Sequence, residues 1–213
     1  MKPETRLARR VIGGLAILLA AAALAAAGRG FTKPYAPDAP DYRSKGAADA
    51  PVVIAEFSDF QCSACAAASK PLKQITTLFP GKVRVVFKHL PWDFHTLSKD
   101  AAVAAECAGR AGRFWEFHDA MFAKQYAWAG AKQAAEARKR FMEYAAELGV
   151  DRKAFAACLD DPAALAAIEA DRKEAEAHWV RSTPTFFING KRFVGALQLR
   201  THGLNRIEDI LKG

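Results

Sequence analysis

Residues 52–65, VVIAEFSDFQCSAC, join a strand-like run to two closely spaced cysteines. The first six residues are mostly apolar or β-branched and follow a proline, which predicts a short buried strand. Cys62 and Cys65 come a few residues later, at the predicted start of a helix over 63–79 that is interrupted at Pro71. The order of strand, cysteine pair and helix decides how the two sulfurs are placed.

The predicted position of Cys62 favours a reactive thiolate. At a helix start, its sulfur lies near unpaired backbone N–H groups and the positive end of the helix dipole. Such CxxC cysteines have pKa values lowered from about 8.5 to about 3.5–7.5. Cys65 lies one turn further on the same face, where it can form or resolve a disulfide with Cys62. An inert cross-link is one alternative. Zinc is another, but it needs two more ligands at short spacing, so no metal is expected.

The rest of the chain alternates between strand-like and helix-like segments. The predicted elements are a strand at 82–88, four or five helices in the alanine-rich block 97–179, strands at 185–188 and 192–194 joined by the turn Asn189-Gly190, and a closing helix at 199–212. This order predicts an α/β fold, with a small mixed sheet flanked by helices and interrupted by a helical insertion. We divide the folded part into 48–95, the insertion 96–179, and 180–213.

Composition and charge exclude several classes of protein. The chain has 213 residues, of which 51% are apolar and 25% charged, so it is neither collagenous, coiled-coil nor wholly disordered. Four cysteines are too few for a disulfide-dense scaffold. The formal net charge is +8, and three of these units come from the first ten residues. No Lys/Arg run interleaved with aromatics follows, so nucleic-acid binding is not expected.

The N-terminus predicts export from the cytoplasm. Residues 11–28 are uncharged and follow four basic residues, as in an export signal, and the small Ala25 and Ala27 permit cleavage after Ala27. The run is also nearly long enough to remain as a membrane anchor. In both cases the positive-inside rule places the rest of the chain outside the cytoplasm, in the periplasm. Residues 29–47, rich in Pro, Gly, Asp and Ala, predict a flexible linker, with the folded domain beginning near Ala48.

Two motifs and the block between them resemble a known family. The sequences EFSDFQCSAC at 56–65 and STPTFFING at 182–190 flank the helical block. Together they resemble the DsbA-like branch of the thioredoxin superfamily, over a region running from about Ala48 to the C-terminus. The resemblance implies a thioredoxin fold with an inserted helical domain. It also implies an exported thiol:disulfide oxidoreductase with a redox-active disulfide, Cys62–Cys65, and no other cofactor.

The resemblance assigns roles at the two motifs. Cys62 matches the exposed nucleophile and Cys65 the buried partner. Thr183-Pro184 matches the family's loop with a cis-proline, a bond type that is credible only before proline. In that loop residue 183 offers backbone groups to an extended substrate peptide, so Thr183 and Pro184 are the predicted substrate-binding residues.

Two charged residues lie in or beside the predicted strands. Glu56 stands in an otherwise apolar strand, where a carboxylate is costly without a partner or a task. The family has a buried acid at this position, beneath the disulfide, where it helps to move the proton of Cys65. The alternative is a surface carboxylate on an edge strand. Lys88 resembles the lysine that accompanies this acid in a proton relay; its alternative is a solvated strand end.

The sequence departs from the family between the cysteines. Strong oxidases of the family often have a histidine there, whereas this chain has Ser63-Ala64, so the helix terminus must supply most of the thiolate stabilisation. The direction of electron flow therefore stays open between oxidation and reduction or isomerisation. The family often has a glycine before Thr-Pro, where this chain has Arg181-Ser182, and this difference can alter the substrate-facing loop.

Two cysteines remain in helical, alanine-rich surroundings. Cys107 and Cys158 resemble positions that form a second, structural disulfide in some family members. The alternatives are two separate buried thiols or a second redox relay.

The expected partners of the protein are unfolded secreted clients and a membrane redox partner that recycles the active-site pair. A non-catalytic, chaperone-like client-binding protein is the alternative from another functional class.

Overall fold

The structure is a computed structural model that describes residues 35–213. The export signal or membrane anchor predicted over 1–28, and the first residues of the linker predicted over 29–47, lie outside the described residues. Between Tyr35 and Gly213, no helix combines the length and the apolar character needed to cross a membrane.

A mixed sheet of five strands forms the centre of the described chain, in the order β1-β3-β2-β4-β5. The strands are β1 (Ser44–Lys45), β2 (Val52–Ser58), β3 (Val83–His89), β4 (Thr185–Ile188) and β5 (Lys191–Val194). Strands β2 and β3 are parallel, and the remaining neighbours are antiparallel. The strand that leads to the cysteine pair is therefore central, with a hydrogen-bonded neighbour on each side.

Helices cover the sheet in the predicted order. Helix α1 (Ser63–Leu78) follows the cysteine turn. The insertion contains α2 (Ser98–Arg110), α3 (Phe114–Ala123), α4 (Ala134–Glu147), α5 (Arg152–Leu159) and α6 (Pro162–Ala177). The chain closes with α7 (Gly195–Gln198), a π-helical turn (Leu199–Gly203) and α8 (Leu204–Lys212). The α/β fold with a helical insertion is confirmed, and the closing helical segment begins four residues earlier than predicted.

Two apolar cores hold these layers together. One joins β2, β3 and β4 to α1 and α8, with Ile54, Leu72 and Ile207 among its buried residues. The other lies within the helical insertion and against the cysteine turn, where Phe60 stacks on Phe87 with their ring centroids 5.2 Å apart. Each buried side chain of this size stabilises the fold by about 1.5–3 kcal/mol. The cysteine turn is thus anchored to the insertion by apolar contacts.

The predicted interruption at Pro71 is wrong. Helix α1 runs continuously from Ser63 to Leu78 with Pro71 inside it. A proline within a helix costs about 3 kcal/mol, because a hydrogen bond is lost and the ring contacts the preceding turn. Cys65, Ala68, Leu72 and Ile75 recur at helical spacing and are all buried. Burial of this face offsets the cost of the proline.

The predicted linker ends earlier than residue 47. A 3₁₀ turn (Asp41–Arg43) and β1 belong to the folded domain, and Ser44 pairs with Val86 of β3. Arg43 is only 3% exposed and forms ion pairs with Asp171 and Glu106. The start of the domain near Ala48 is therefore wrong. The local sequence is polar, and its burial comes from partners more than 60 residues away.

Candidate active site

The turn after β2 places the cysteine pair at the start of α1. Strand β2 ends at Ser58, and Cys62 is the residue that caps the N-terminus of α1. The carbonyl of Cys62 accepts hydrogen bonds from the backbone N–H groups of Cys65 and Ala66, at 3.1 and 3.2 Å. Both thiols are free; Cys62 is half-buried and Cys65 is buried. The predicted helix-terminal position of Cys62 is thus present.

The second motif lies directly against this cysteine. The peptide bond between Thr183 and Pro184 is cis, and β4 begins at the next residue. Because Thr185 pairs with Phe57 near the end of β2, the loop lies beside the cysteine turn. The Cys62 sulfur lies 3.7 Å from the carbonyl oxygen of Thr183, which accepts its proton only when the thiol is protonated. The fold therefore brings together two motifs that are 121 residues apart in the sequence.

The two thiols have opposite electrostatic surroundings. A hydrogen bond from Cys65 is the largest influence on Cys62; with donors from the backbone of Cys65 and Ala64 and from the Thr183 side chain, it lowers the pKa of Cys62 to about 5, against the effect of burial. Burial, followed by the hydrogen bond and charge of Cys62, raises the pKa of Cys65 well above its usual range. Cys62 is therefore the thiolate at neutral pH, and Cys65 holds the proton.

Glu56 lies in the buried interior of the sheet. It is 0% exposed on the central strand, in register with Phe87 on one side and Phe186 on the other. This position excludes the edge-strand alternative. Desolvation by burial raises the pKa of Glu56 to about 7, and neither carboxylate oxygen makes a hydrogen bond within the described chain. Ser58 lowers the pKa values of both Glu56 and Cys65 slightly, although its hydroxyl lies outside full hydrogen-bond geometry.

Lys88 is not brought to Glu56. Lys88 is in register with Phe57, whereas Glu56 is in register with Phe87, so the two charged side chains project from opposite faces of the sheet. The Lys88 Nζ lies 2.6 Å from Asp171 Oδ1 and 2.7 Å from Glu174 Oε2. Its side chain is 1% exposed, so the solvated strand end is wrong as well. The geometry assigns Lys88 to a buried ion cluster at α6 and gives it no place in a relay with Glu56.

A further site residue, Asp59, was missed by the sequence analysis. Its buried carboxylate accepts hydrogen bonds from the backbone of Gln61 at 2.8 Å, the backbone of Trp92 at 3.0 Å and the hydroxyl of Ser98. The Nδ1 of His95 lies 2.8 Å from the same carboxylate. Asp59 therefore joins the cysteine turn to the loop between β3 and α2. An acidic residue directly after a buried strand was the available signal.

Two glutamines attach the insertion to the cysteine turn. The Gln125 side chain donates to the carbonyls of Phe60 and Cys62, at 2.8 and 3.1 Å. The Gln61 side chain donates to the Ala129 carbonyl at 2.8 Å and accepts from the backbone of Leu97 at 2.8 Å. The helical insertion thus fixes the backbone that carries the nucleophile.

The other two cysteines form a second site away from this turn. Cys107 on α2 and Cys158 on α5 are joined by a disulfide with a Cα–Cα distance of 5.7 Å, across a sequence separation of 51 residues. This bond links two helices within the insertion, as the resemblance implies.

Comparison with known proteins gives one family and one architecture. The family model described as thioredoxin matches residues 38–205. Oxidised BdbD from Bacillus subtilis is 25% identical, has a TM-score of 0.69, and the match covers 80% of this chain and 93% of that one. DsbA2 from Pseudomonas aeruginosa is 24% identical with a TM-score of 0.66, over 83% of this chain and 97% of that one, and supports the fold alone.

The curated relatives are longer proteins. The Na⁺/H⁺ antiporter NhaA of Herminiimonas arsenicoxydans is 36% identical over 157 residues, which are 74% of this chain and 24% of that protein. NhaA 1 of Salinispora arenicola is likewise 36% identical, over 73% of this chain and 22% of that protein. The chain therefore spans about a quarter of the length of these relatives.

Proposed function

Because this chain belongs to the thioredoxin family, we propose that it is a DsbA-like thiol:disulfide oxidoreductase that forms or exchanges disulfide bonds in exported client proteins. One observation carries the proposal: the Cys62 sulfur lies at the N-terminus of α1 and 3.7 Å from the carbonyl of Thr183. An ionised sulfur and a backbone that can pair with an extended peptide therefore lie side by side.

The reaction runs through a mixed disulfide with Cys62. A client thiolate attacks the Cys62 sulfur of the oxidised pair, the Cys62–Cys65 bond breaks, and Cys65 leaves and takes up a proton. A second client thiolate then attacks the client sulfur of the mixed disulfide, so that the client disulfide forms and Cys62 leaves as a thiolate. In total, two electrons and one proton pass from the client to the cysteine pair, and the second client proton goes to solvent because Cys62 stays ionised.

The low pKa of Cys62 favours this direction. A thiolate with a pKa near 5 is a good leaving group and stabilises the reduced form of the pair, which makes the oxidised form a stronger oxidant. Glu56, with a pKa near 7, is protonated and ionised in comparable amounts at neutral pH. Through that balance it supplies and accepts the proton of Cys65. These surroundings favour oxidation over reduction or isomerisation with the same cysteines.

The proposed location is outside the cytoplasm. Support comes from the apolar run 11–28, which acts as a cleaved signal or as a tether to the inner membrane, and from the disulfide within the insertion, a bond typical of oxidising compartments. The reduced pair then requires a membrane redox partner that accepts its two electrons. The disulfide itself is the redox group, and the proposal includes no metal, other cofactor or nucleic acid.

Oxidation of a dithiol peptide by the purified protein tests the proposal. We expect the oxidised wild type to oxidise the peptide stoichiometrically and Cys62→Ser to lose this activity. Cys65→Ser, first converted at Cys62 to the mixed disulfide by glutathione disulfide, should exchange glutathione for a single-thiol form of the peptide and give an adduct that migrates separately on a non-reducing gel. A variant with Cys107→Ala and Cys158→Ala is the matched control and keeps the activity. Equal rates for wild type and Cys62→Ser would leave the chaperone-like alternative.

The equilibrium with glutathione decides the direction. We expect a reduction potential near those of strong periplasmic oxidants, about −120 mV, rather than near thioredoxin at about −270 mV. A value near thioredoxin would make the protein a reductase in spite of the same cysteine chemistry.

A further inference from the structure

The loop between β3 and α2, residues 90–97, borders the cysteine turn and is held there by Asp59. The backbone N–H of Trp92 donates to the buried Asp59 carboxylate at 3.0 Å. The half-buried ring of Trp92 stacks on Phe94, with ring centroids 5.9 Å apart and an interplanar angle of 12°. The backbone and the ring plane of Trp92 are therefore both restrained.

The side chain of Trp92 reaches the cis-proline loop. Its indole Nε1–H donates to the hydroxyl oxygen of Thr183 at 3.0 Å, and the carbonyl oxygen of the same threonine lies 3.7 Å from the Cys62 sulfur. After the Cys65 thiol and burial, the Thr183 side chain is among the donors that influence the pKa of Cys62, and it lowers it. Trp92 thus contacts the Thr183 hydroxyl, and the Cys62 sulfur contacts the carbonyl of the same residue.

The donor inventory fixes the direction of this series. An indole N–H only donates, whereas a threonine hydroxyl has one proton to give and an oxygen that accepts. When the indole N–H occupies the oxygen, the hydroxyl proton is available for the negative sulfur. Hydrogen bonds in such a series polarise one another, so a donor from Trp92 would strengthen a bond from the Thr183 hydroxyl to the thiolate.

We propose that Trp92 is a positioning residue of the redox site, whose indole N–H orients the Thr183 hydroxyl toward the Cys62 thiolate and thereby strengthens the protein as an oxidant. The inference rests on the proposed function for the role of Cys62. It carries particular weight in this chain because the residues between the cysteines, Ser63 and Ala64, bring no positive charge.

Four other titratable groups belong to the elements that form the site. Cys65 and Glu56 are buried in helix α1 and strand β2, and Asp59 pairs with His95 of the loop that carries Trp92. A change from Trp92 to phenylalanine leaves all four in the chain and keeps an aromatic ring for Phe94 to stack on. It therefore removes the N–H donor while retaining the charges around Cys62.

The test is a pH titration of the reduced protein, with thiolate absorbance near 240 nm as the readout. We expect Trp92→Phe to move the Cys62 midpoint upward, by on the order of three- to tenfold in the acid dissociation constant, because one donor in the series is lost. The equilibrium constant for oxidation of glutathione by the Cys62–Cys65 disulfide should fall by the same factor. Trp115→Phe is the matched control, because its indole donates to the Ser44 carbonyl away from the site, and its midpoint should not move.

A double-mutant cycle separates this role from a merely structural one. In a Thr183→Val background, Trp92→Phe should not shift the midpoint further, because the hydroxyl that it orients is gone. In a Thr183→Ser background the hydroxyl is retained, and the effect of Trp92→Phe should return.

Three outcomes overturn the proposal: an unmoved midpoint in Trp92→Phe, an equal shift in Trp115→Phe, or a full effect of Trp92→Phe in the Thr183→Val background. None of these measurements uses a client. If wild type fails to oxidise the dithiol peptide while the cycle gives the expected shifts, the proposed function fails and the role of Trp92 stands. If wild type oxidises the dithiol peptide but the cycle lacks the expected shifts, only the role of Trp92 is rejected.

Discussion

The two cysteine pairs of this chain are chemically identical but lie in different surroundings. Cys62 and Cys65 lie at a helix start against the Thr183 carbonyl, with polar donors around the first sulfur. Cys107 and Cys158 lie on two helices of the insertion and close a sequence separation of 51 residues. A short loop gives little entropic stabilisation, whereas a long loop gives much. Position in the fold therefore divides the four cysteines into a reactive pair and a stabilising pair.

Removal of the second pair should have the largest effect on stability. The chain-entropy relation gives about 4 kcal/mol for a loop of this length, so Cys107→Ala with Cys158→Ala should lower the free energy of unfolding by about that amount. Urea denaturation measures the loss. Oxidation of the dithiol peptide by the folded variant should stay at the wild-type rate. A folded variant that no longer oxidises the peptide would indicate that Cys107 and Cys158 act as a second redox relay. The distinction between a reactive pair and a stabilising pair would then be wrong.

Replacement of the buried Glu56 on the strand that leads to the reactive pair should have the next largest effect. The pKa of Glu56 is about 7 in the folded protein and about 4.5 in the unfolded chain. Because the pKa is raised in the folded state, the contribution of Glu56 to the free energy of unfolding is fully present below about pH 4.5 and is lost as the pH rises through about 7. Glu56→Gln should therefore gain about 3 kcal/mol in the free energy of unfolding, relative to wild type, between about pH 4 and pH 8.

Paired urea denaturation curves across that pH range measure this gain. Glu136→Gln, an exposed glutamate on α4, is the matched control and should follow wild type at every pH. Client oxidation by Glu56→Gln should slow, because Cys65 loses its proton partner. If the free energy of unfolding changed with pH in the same way for Glu56→Gln and wild type, burial would not raise the pKa of Glu56. The proposed role of Glu56 in proton transfer to Cys65 would then be rejected.

The contrast between the pairs should also appear in alkylation kinetics. With a pKa near 5, Cys62 is fully ionised above about pH 6, so its iodoacetamide rate in the reduced protein should be flat from pH 6 to pH 8. Cys158, freed by Cys107→Ala in a Cys62→Ser background, should react nearly a hundredfold faster at pH 8 than at pH 6, as an ordinary thiol does. A similar slope for both sulfurs would remove the electrostatic distinction.

Local patterns were sufficient to predict much of the fold. Strand periodicity, the Asn189-Gly190 turn and the alanine-rich block placed the sheet and the insertion correctly. The turn prediction holds because both of its residues have positive φ, at 44° and 81°. The errors at Pro71 and at Arg43 have one physical cause. A proline in a helix and an arginine in a polar segment were tolerated because distant residues bury their neighbourhood, which no window of sequence contains.

The site shows the same boundary between local and distant information. Cys62, Cys65 and the Thr183-Pro184 loop belong to compact motifs and were predicted. The sequence correctly placed Lys88 at the end of the strand next to that of Glu56. The face of the sheet from which its side chain projects depends on the register between the two strands, which the sequence does not contain. Asp59, Trp92 and Gln125 bind partners 33 to 91 residues away, and their roles exist only after the insertion has packed against the sheet. Their side chains are ordinary polar or aromatic residues in the sequence.

The smallest effect should come from the contact by which the insertion reaches the reactive pair. Gln125 donates to the Phe60 and Cys62 carbonyls, so Gln125→Met should remove two hydrogen bonds while keeping the length of the side chain. We expect a loss of about 1–2 kcal/mol in the free energy of unfolding, with two carbonyls left to water. Gln74→Met, at an exposed position on α1, is the matched control and should leave stability nearly unchanged.

The alkylation rate of Cys62 decides what this contact means for the two pairs. If Gln125 fixes the turn that carries the nucleophile, the midpoint of the Cys62 profile rises in Gln125→Met, because the N–H groups at the start of α1 are held less firmly against the sulfur. The Cys107–Cys158 bond should remain intact and equally resistant to reduction. An unmoved midpoint with the same loss of stability would mean that the insertion only packs against the site, and the reactive pair would owe its low pKa to its own turn and the cis-proline loop.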